Sequence, residues 1–339
     1  MLRALHRALL LAALTVLPAL AWAQLIPNLG GQRVGISAFQ FLKLGVGARG
    51  VAMSESFAAV ADDASALHFN PAGLVQFSTN QVVAAHTEYV AELRHEFFGV
   101  VYHLTGEDAL GLSVSSLHTD DMEITTETQP SGTGRYFTFG DVALGLSYGR
   151  RMTDQFSFGI TLRYVDETLD LLHMRSFMVD LGTYYWTGLG SARFAVVIAN
   201  FGADAAPSGS VPGPGGTTIT SFQSFSLPTV FRLGIAIDPV DSEDHLLTTS
   251  LQLDHPNDNA EHVRLGIEYA WRGTVFARVG IKRTIDQPVF GEDQTTAESY
   301  ALGLGVRVPF ALSTIGADYA YSDFGRLGPV HRMTLAFTF

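Results

Sequence analysis

The stretch "QFSFGITLRY" (155–164) sets Phe156, Phe158, Ile160, Leu162 and Tyr164 on one side of a period-2 alternation, with Ser157, Gly159, Thr161 and Arg163 on the other. Such a segment is a strand with one apolar and one polar face, and what each face meets decides the fold. The pattern recurs in "EHVRLGIEYAW" (261–271), where Val263, Leu265, Ile267, Tyr269 and Trp271 oppose His262, Arg264, Gly266 and Glu268. In "DVALGLSYG" (141–149) and "SYALGLGVRV" (299–308) glycine fills much of the second face. A soluble sandwich also alternates, so period alone leaves two architectures open.

Length and connectivity separate them. From residue 81 onward the sequence predicts fourteen strands, near 81–90, 96–104, 109–126, 138–152, 155–166, 175–187, 192–202, 229–238, 245–255, 261–272, 274–283, 298–309, 312–323 and 328–339. Most have about 10 residues, the length that crosses a bilayer at a tilt. The even number suits a closed antiparallel barrel, and closure removes the edges that an open sheet would expose. The connections then alternate between two classes. "TGED" (105–108), "TD" (153–154), "TGLG" (187–190), "GT" (273–274) and "PFAL" (309–312) are short, whereas 119–137, 167–174, 203–228, 284–297 and 322–329 are generally longer. Short periplasmic turns and long outer loops are the asymmetry of outer-membrane barrels, and they place both termini in the periplasm. A sandwich has no reason to sort its loops by parity.

Composition agrees. The chain is 47% hydrophobic and 16% charged, against roughly 25% charged in ordinary soluble domains. Past the N-terminus no run of about 20 apolar residues would serve as a spanning helix. Residues 1–23 read as a signal peptide: Arg3 and Arg7, then "ALLLAALTVLPAL" (8–20), then the small-x-small "AWA" (21–23) ahead of Gln24. Its removal deletes two arginines and takes the formal net charge from -12 to -14. An exported acidic chain is a poor partner for nucleic acid. Cysteine is absent.

The last residues, "HRMTLAFTF" (331–339), alternate up to Phe339 without a turn or polar tail. A final strand that pairs with the first and faces lipid can end at the membrane interface. Phe339 is therefore a candidate assembly signal, read by the barrel assembly machinery.

Residues 24–80 differ. "GVGARGVAMSESFAAVADDASALHFNPAGL" (45–74) is rich in small residues, with short helices expected in "GVAMSESFAAV" (50–60) and "DDASALHF" (62–69). Asp62 or Asp63 is placed to cap the second, and Pro71 to end it. Such a segment ahead of a fourteen-stranded barrel is expected to fill the lumen as a hatch, because side chains alone leave space there. The fold expected is thus an all-β membrane protein, a 14-stranded antiparallel transmembrane β-barrel (81–339) with a small N-terminal hatch containing short helices (24–80).

The segment "SAFQFLKLGVGARGVAMSESFAAVADDASALHFNPAGL" (37–74) resembles the opening of the PorV/PorQ family within the FadL-like outer-membrane proteins. The likeness continues through "TTETQPSGTGRYFTFGDVALGLSYGRRMTDQFSFGI", "DLGTYYW", "NFG", "LPTVFRLGIA", "HPNDNAEHVRLGIEY" and "HRMTLAFTF", in order. It implies a hatch inside a 14-stranded barrel, with Asn70, Pro71, Ala72 and Gly73 as the hatch motif. It also implies a role accessory to protein export or surface attachment of the type IX kind, with secretion-apparatus proteins and their cargo as partners. The alternative it implies is FadL-like transport of hydrophobic small molecules, with a hydrophobic ligand or detergent in the lumen. Ser54-Glu55 stands where many relatives carry glycine or small residues.

Arg163, Asp180, Arg232, Arg264, Glu268, Arg278, Lys282, Arg307, Asp318 and Arg332 share the face opposite the apolar residues, hence the lumen. They form either an ion or ligand path or salt bridges and hatch contacts, and the structural role is the default in a polar interior. "DHPNDNAEH" (254–262) gathers Asp254, His255, Asp258, Glu261 and His262, but without the regular spacing of a cation loop. No spacing links serine, histidine and acid into a catalytic unit. The glycines of "GVGARG" lack the preceding strand and the Lys-Ser/Thr end of a phosphate loop. The sequence therefore implies no catalytic residue, metal or cofactor; it implies an outer-membrane location in a diderm bacterium, in contact with outer-membrane lipid.

Overall fold

In a computed structural model, residues 35–285, 299–311 and 313–339 are described. The expected signal peptide and most of the 284–297 loop lie outside them. Fourteen strands among these residues form one antiparallel barrel. In chain order they are β1 (Gln81–Glu88), β2 (Arg94–His103), β3 (Asp108–His118), β4 (Phe139–Arg151), β5 (Phe156–Leu169), β6 (Leu172–Trp186) and β7 (Arg193–Gly202). There follow β8 (Val230–Asp241), β9 (His245–Pro256), β10 (His262–Trp271), β11 (Val275–Thr284), β12 (Tyr300–Phe310), β13 (Ser313–Asp323) and β14 (Pro329–Thr338). Each pairs with its sequence neighbours, and β1 closes on β14 from Gln81 against Thr338 to Glu88 against His331.

The two faces separate as the alternation requires. On β5, Ile160 and Leu162 are exposed on the outer wall, while Thr161 and Arg163 are buried in the lumen. In water such a wall of Leu, Ile, Val and Phe would be an aggregation surface; in a bilayer it is the solvent-matched side. Among the described residues no helix is long and apolar enough to cross a membrane, so the strands do the crossing.

Two expectations about loops are corrected. The predicted loop 167–174 shrinks to Asp170-Leu171, because β5 and β6 zip on to Leu169 against Leu172. Asp170 takes the left-handed conformation (φ 53) that such a tight turn demands and that Asp tolerates. The strand predicted over 109–126 leaves the barrel at His118. Met122–Glu123 then pairs with Tyr136–Phe137 in a separate ribbon, so the alternation continues but the partner changes.

Residues 35–80 run through the lumen with two short helices, α1 (Ala48–Ala52) and α2 (Ala66–Phe69), and 3-10 turns at Gln40–Lys43 and Pro71–Val75. Phe57, Leu67, Phe69, Leu74 and Val75 from this segment pack with Val83, Phe97, Val101, Tyr184 and Val197 of the wall. The first helix starts earlier than the expected 50–60 and lasts little more than one turn. Ser54 (φ 49) and Glu55 (φ 61) are both left-handed, which no helix continues through. Asp63 accepts the Ser65 N–H at 2.9 Å just ahead of α2, whereas Asp62 turns to Arg49. Pro71 follows the end of α2 as expected and also opens the next turn, with Asn70 as its cap.

Candidate functional site: the filled lumen

Asn70-Pro71-Ala72-Gly73 is buried and fixed against the wall. The Asn70 side-chain amide donates to the carbonyls of Ala58 (2.9 Å) and Thr183 on β6 (3.1 Å), while its oxygen accepts the Ala72 N–H (3.0 Å). Both amide donors and one lone pair of the oxygen are thereby used, one donor across to the barrel. The wall makes room by having no side chain there. A Cβ on Gly159 would lie 2.2 Å from the Pro71 carbonyl carbon, and one on Gly182 would lie 2.1 Å from Asn70 Oδ1. Beside this seam, the Tyr184 hydroxyl and Arg193 Nε both donate to the Ala59 carbonyl, at 3.0 and 3.1 Å. Arg193 also holds Asp238 at 2.7 Å.

Across the lumen the contact is ionic. Arg49 of α1 bonds Asp62 (2.5 Å) and Asp63 (2.7 Å) in its own segment and reaches Glu268 of β10 at 2.8 Å. Glu268 then pairs with Arg278 (2.5 Å), Arg278 with Asp318 (2.7 Å), and Asp318 with Arg307 (2.7 Å). This chain of alternating charge runs from the hatch across β10, β11, β13 and β12. Buried charges persist only when paired and hydrogen-bonded, and here Arg49, Glu268, Arg278 and Asp318 each have at least two opposite neighbours. Nearby, Thr334 Oγ1 of β14 accepts the Ala48 N–H at 2.7 Å.

Glu55 forms a second ionic tie. Its carboxylate accepts the Gly45 N–H at 3.0 Å and bonds Arg264 at 2.6 Å, and Arg264 meets Asp254 at 2.6 Å. Burial pushes the Glu55 carboxyl up, but Arg264, Lys282, Arg232 and Arg332 outweigh it and hold the group at about 2. A left-handed non-glycine residue costs about 1–2 kcal/mol, and charge-assisted bonds of this kind offset it. The departure at Ser54-Glu55 thus keeps a glycine-like backbone and adds a tether to the wall.

The remaining lumen candidates divide. Arg163 pairs with Asp180 at 2.5 Å, and Asp180 also accepts the Asn200 N–H at 2.6 Å. Arg332 donates to Ser322 Oγ at 3.0 Å and lies over the Phe324 ring. Arg232 is buried without an ion pair among the described residues, and its Nη1 has no hydrogen-bond partner there. The 254–262 set does not converge on a cation: Asp254 goes to Arg264, Asp258 to Lys43 (2.9 Å), Glu261 to His255 (3.0 Å), and His262 to Thr284 (3.2 Å). Phe339 sits half-exposed on the outer wall, stacked on Phe337, with its backbone paired to Asn80. Sequence reasoning missed Arg49, Arg193 and Asp238, and noted Glu55 only as a departure from the family pattern, without a role. Strand parity marks Arg193 and Asp238 as inward; for Arg49 the sequence carries no comparable signal.

A lumen cavity of about 500 Å³ opens toward the short-turn end of the barrel and is lined by Arg49, Asp62, Arg193, Asp238, Glu268 and Arg307 among others. Its lining is mixed: Val60, Trp186, Leu246 and Phe276 stand between the charged groups.

A closed 14-stranded barrel with an apolar outer wall and a polar, filled lumen defines an outer-membrane β-barrel protein. The family model "Type IX secretion system protein PorV" matches residues 29–255, and the chain belongs to that family. No curated protein matches. Among solved structures, the chain is similar to the CymD monoaromatic hydrocarbon channel (TM-score 0.57, 15% identity, 89% of this chain and 98% of that one). It is similar also to the toluene transporter TbuX of Ralstonia pickettii (0.53, 13%, 89% and 98%) and to the toluene transporter TodX of P. putida (0.51, 12%, 85% and 96%). At such identities the likeness is one of fold.

Proposed function

We propose that this chain is an accessory barrel of a type IX secretion pathway, in which the hatch stays docked and the outer wall and loops engage apparatus and cargo. The observation that carries the reading is the fixed hatch: Asn70-Pro71 meets wall backbone on one side, and Arg49 and Glu55 form buried ion pairs on the other. A hydrocarbon path would need a continuous apolar route, and the cavity at the short-turn end is interrupted by the ion-paired Arg49, Glu268 and Arg307. Membership of the PorV family supports the same role. The fold shared with hydrocarbon channels favours the second reading, passage of hydrophobic small molecules past a moving hatch. In either case the protein contacts outer-membrane lipid, both termini face the periplasm, and the chemistry is binding rather than catalysis.

A disulfide tether separates the two. A Cβ on Gly149 would lie 3.1 Å from Leu74 Cβ, a few tenths of an ångström short of the roughly 3.5–4.5 Å a disulfide spans, so the bridge closes with a small outward shift, and the chain has no other cysteine. Cells carrying oxidised Leu74→Cys/Gly149→Cys should secrete cargo at the parent level. Loss of secretion on oxidation, with recovery on reduction, would transfer the argument to the moving-hatch reading. For sidedness, a tag at Gly215 should be stained on intact cells and one between Asp241 and Asp244 should not.

A further inference from the structure

Toward the β5–β6 turn, the leading segment of the hatch packs Phe39, Phe41 and Leu42 against Leu117, Val165 and Met174 of the wall. Two carboxyls stand inside this apolar patch. Asp141 of β4 and Glu167 of β5 are direct cross-strand partners on the inward face, and side chains so opposed start about 5 Å apart at Cβ. Asp141 is 2% exposed, and its Oδ1 has no hydrogen-bond partner among the described residues. Glu167 Oε2 accepts the Phe39 N–H at 3.2 Å, and Phe39 is left-handed (φ 50), a conformation that a bulky residue holds only under constraint. Their inward neighbours in the same row are Leu117 of β3 and Met174 of β6. The cations nearest in position are committed: Arg163, two inward steps down β5, pairs with Asp180, and Lys43 of the hatch with Asp258. From the 203–228 loop Ala205 and Leu227 reach the patch, while Asp204 is exposed. His118, Asp166, His173 and Arg175 alternate onto the outer face. There Asp166 takes Arg175 at 2.7 Å, so the two carboxyls lie beyond the lipid-facing band.

We propose that Asp141 and Glu167 share one proton, and that this proton latches the leading segment of the hatch to the wall. Two carboxylates in one dry site cannot both ionise without a counter-charge. With one proton between them, Asp141 donates to Glu167, and Glu167 keeps its other oxygen for the Phe39 N–H. Loss of the proton to solvent leaves two like charges in an apolar patch. Water must then enter, and the constrained Phe39 is released. Burial and the neighbouring Glu167 push the Asp141 carboxyl up to about 8, and burial raises Glu167 as well. Because the folded value is raised, the latch is complete below the ordinary carboxylate range and is lost as pH rises through about 8. The Asn70 seam and the Arg49 tie lie elsewhere in the lumen and stay closed, so the export reading does not depend on this latch.

The test uses the full-length mature protein in mild detergent, with a nitroxide on Ile36→Cys, an exposed position beside the segment in a chain that has no other cysteine. Expected is an immobile spectrum at about pH 5 that gives way reversibly to a mobile one by about pH 9. Asp141→Asn should keep the immobile spectrum throughout, because its amide donates to Glu167 with no proton to lose. Infrared spectra at neutral pH should show the carbonyl band of a buried carboxylic acid in the parent, and Asp141→Asn should lack it. An immobile parent up to about pH 9 would overturn the proposal, as would the parent's conversion reproduced in folded Asp141→Asn. Immobility that requires added calcium and is lost to a chelator at neutral pH would put a cation in the proton's place, and would overturn it too.

Discussion

The two sides of the lumen hold the same hatch by different means. Along β4–β6 the contact is steric: glycines in the wall admit Pro71 and Asn70 to backbone distance, and the bonds are neutral. Along β9–β14 glycines again admit the hatch, Gly280 to Met53 and Ser54 and Gly303 to Ala52, but here charge is added: Glu268, Arg264 and Thr334 take Arg49, Glu55 and the Ala48 N–H. Packing of the first kind tolerates no added atom but ignores pH. Ion pairing of the second kind tolerates small movements but fails when a charge is lost. The hatch is therefore registered by shape on both sides and secured by charge on one.

The comparison can be broken at either side, and the ionic side should give the larger effect. Glu268→Ala leaves Arg49 and Arg278 each short of a buried partner, and removal of one member of such a pair costs about 3–5 kcal/mol. Its folded band should melt at clearly lower temperature, with the hatch cut early by protease. On the steric side, Gly159→Ala places a methyl against the Pro71 backbone, an overpacking that costs about 1–3 kcal/mol. The expected sign is the same, but the loss should be unchanged between pH 7 and pH 4. Unequal loss over that range would contradict a purely steric contact.

Acid sharpens the contrast. Glu55 is held at about 2 against an ordinary value of 4.5. Because the folded value is depressed, its stabilisation is complete above the ordinary value and is lost as pH falls from there toward about 2. Protease sensitivity of the hatch should rise across that window, and Glu55→Gln should flatten the dependence while lowering stability at neutral pH. The smallest effect belongs to Tyr184→Phe. It removes one of two donors to the Ala59 carbonyl, worth about 1 kcal/mol, and a melting shift as large as that of Glu268→Ala would show that this bond had been underrated.

The barrel was legible because each strand repeats one rule, apolar out and polar in, and because loop length alternates with it. Arg163, Arg264 and Glu268 could be placed on the lumen side from parity alone. Their partners could not, since Arg264 and Glu55 are 209 residues apart and no local pattern joins them. The hatch was harder for another reason. Its helices are single turns buried on all sides, so they carry no amphipathic period, and their ends are set by wall contacts and by the left-handed pair Ser54-Glu55. The 167–174 stretch misled because its polar residues resemble a loop, whereas β5 and β6 rise together beyond the apolar band.

Asn80 and Phe339 exchange both backbone hydrogen bonds, at 2.9 and 3.1 Å, and from there β1 and β14 zip shut. The seam joins the beginning of the strand series to its end, so the largest loop-closure entropy in the molecule falls on this one ladder. Strands β2 to β13 can each add to a neighbour already made, but this ladder must wait until the sheet has curled through a full circle. A hatch that grips β4–β6 by shape and β10–β14 by shape and charge together spans that circle from within. It can act as a mandrel, drawing the two flanks to the right circumference before the final pair meets, so that the filling of the barrel also sets the order in which it is built.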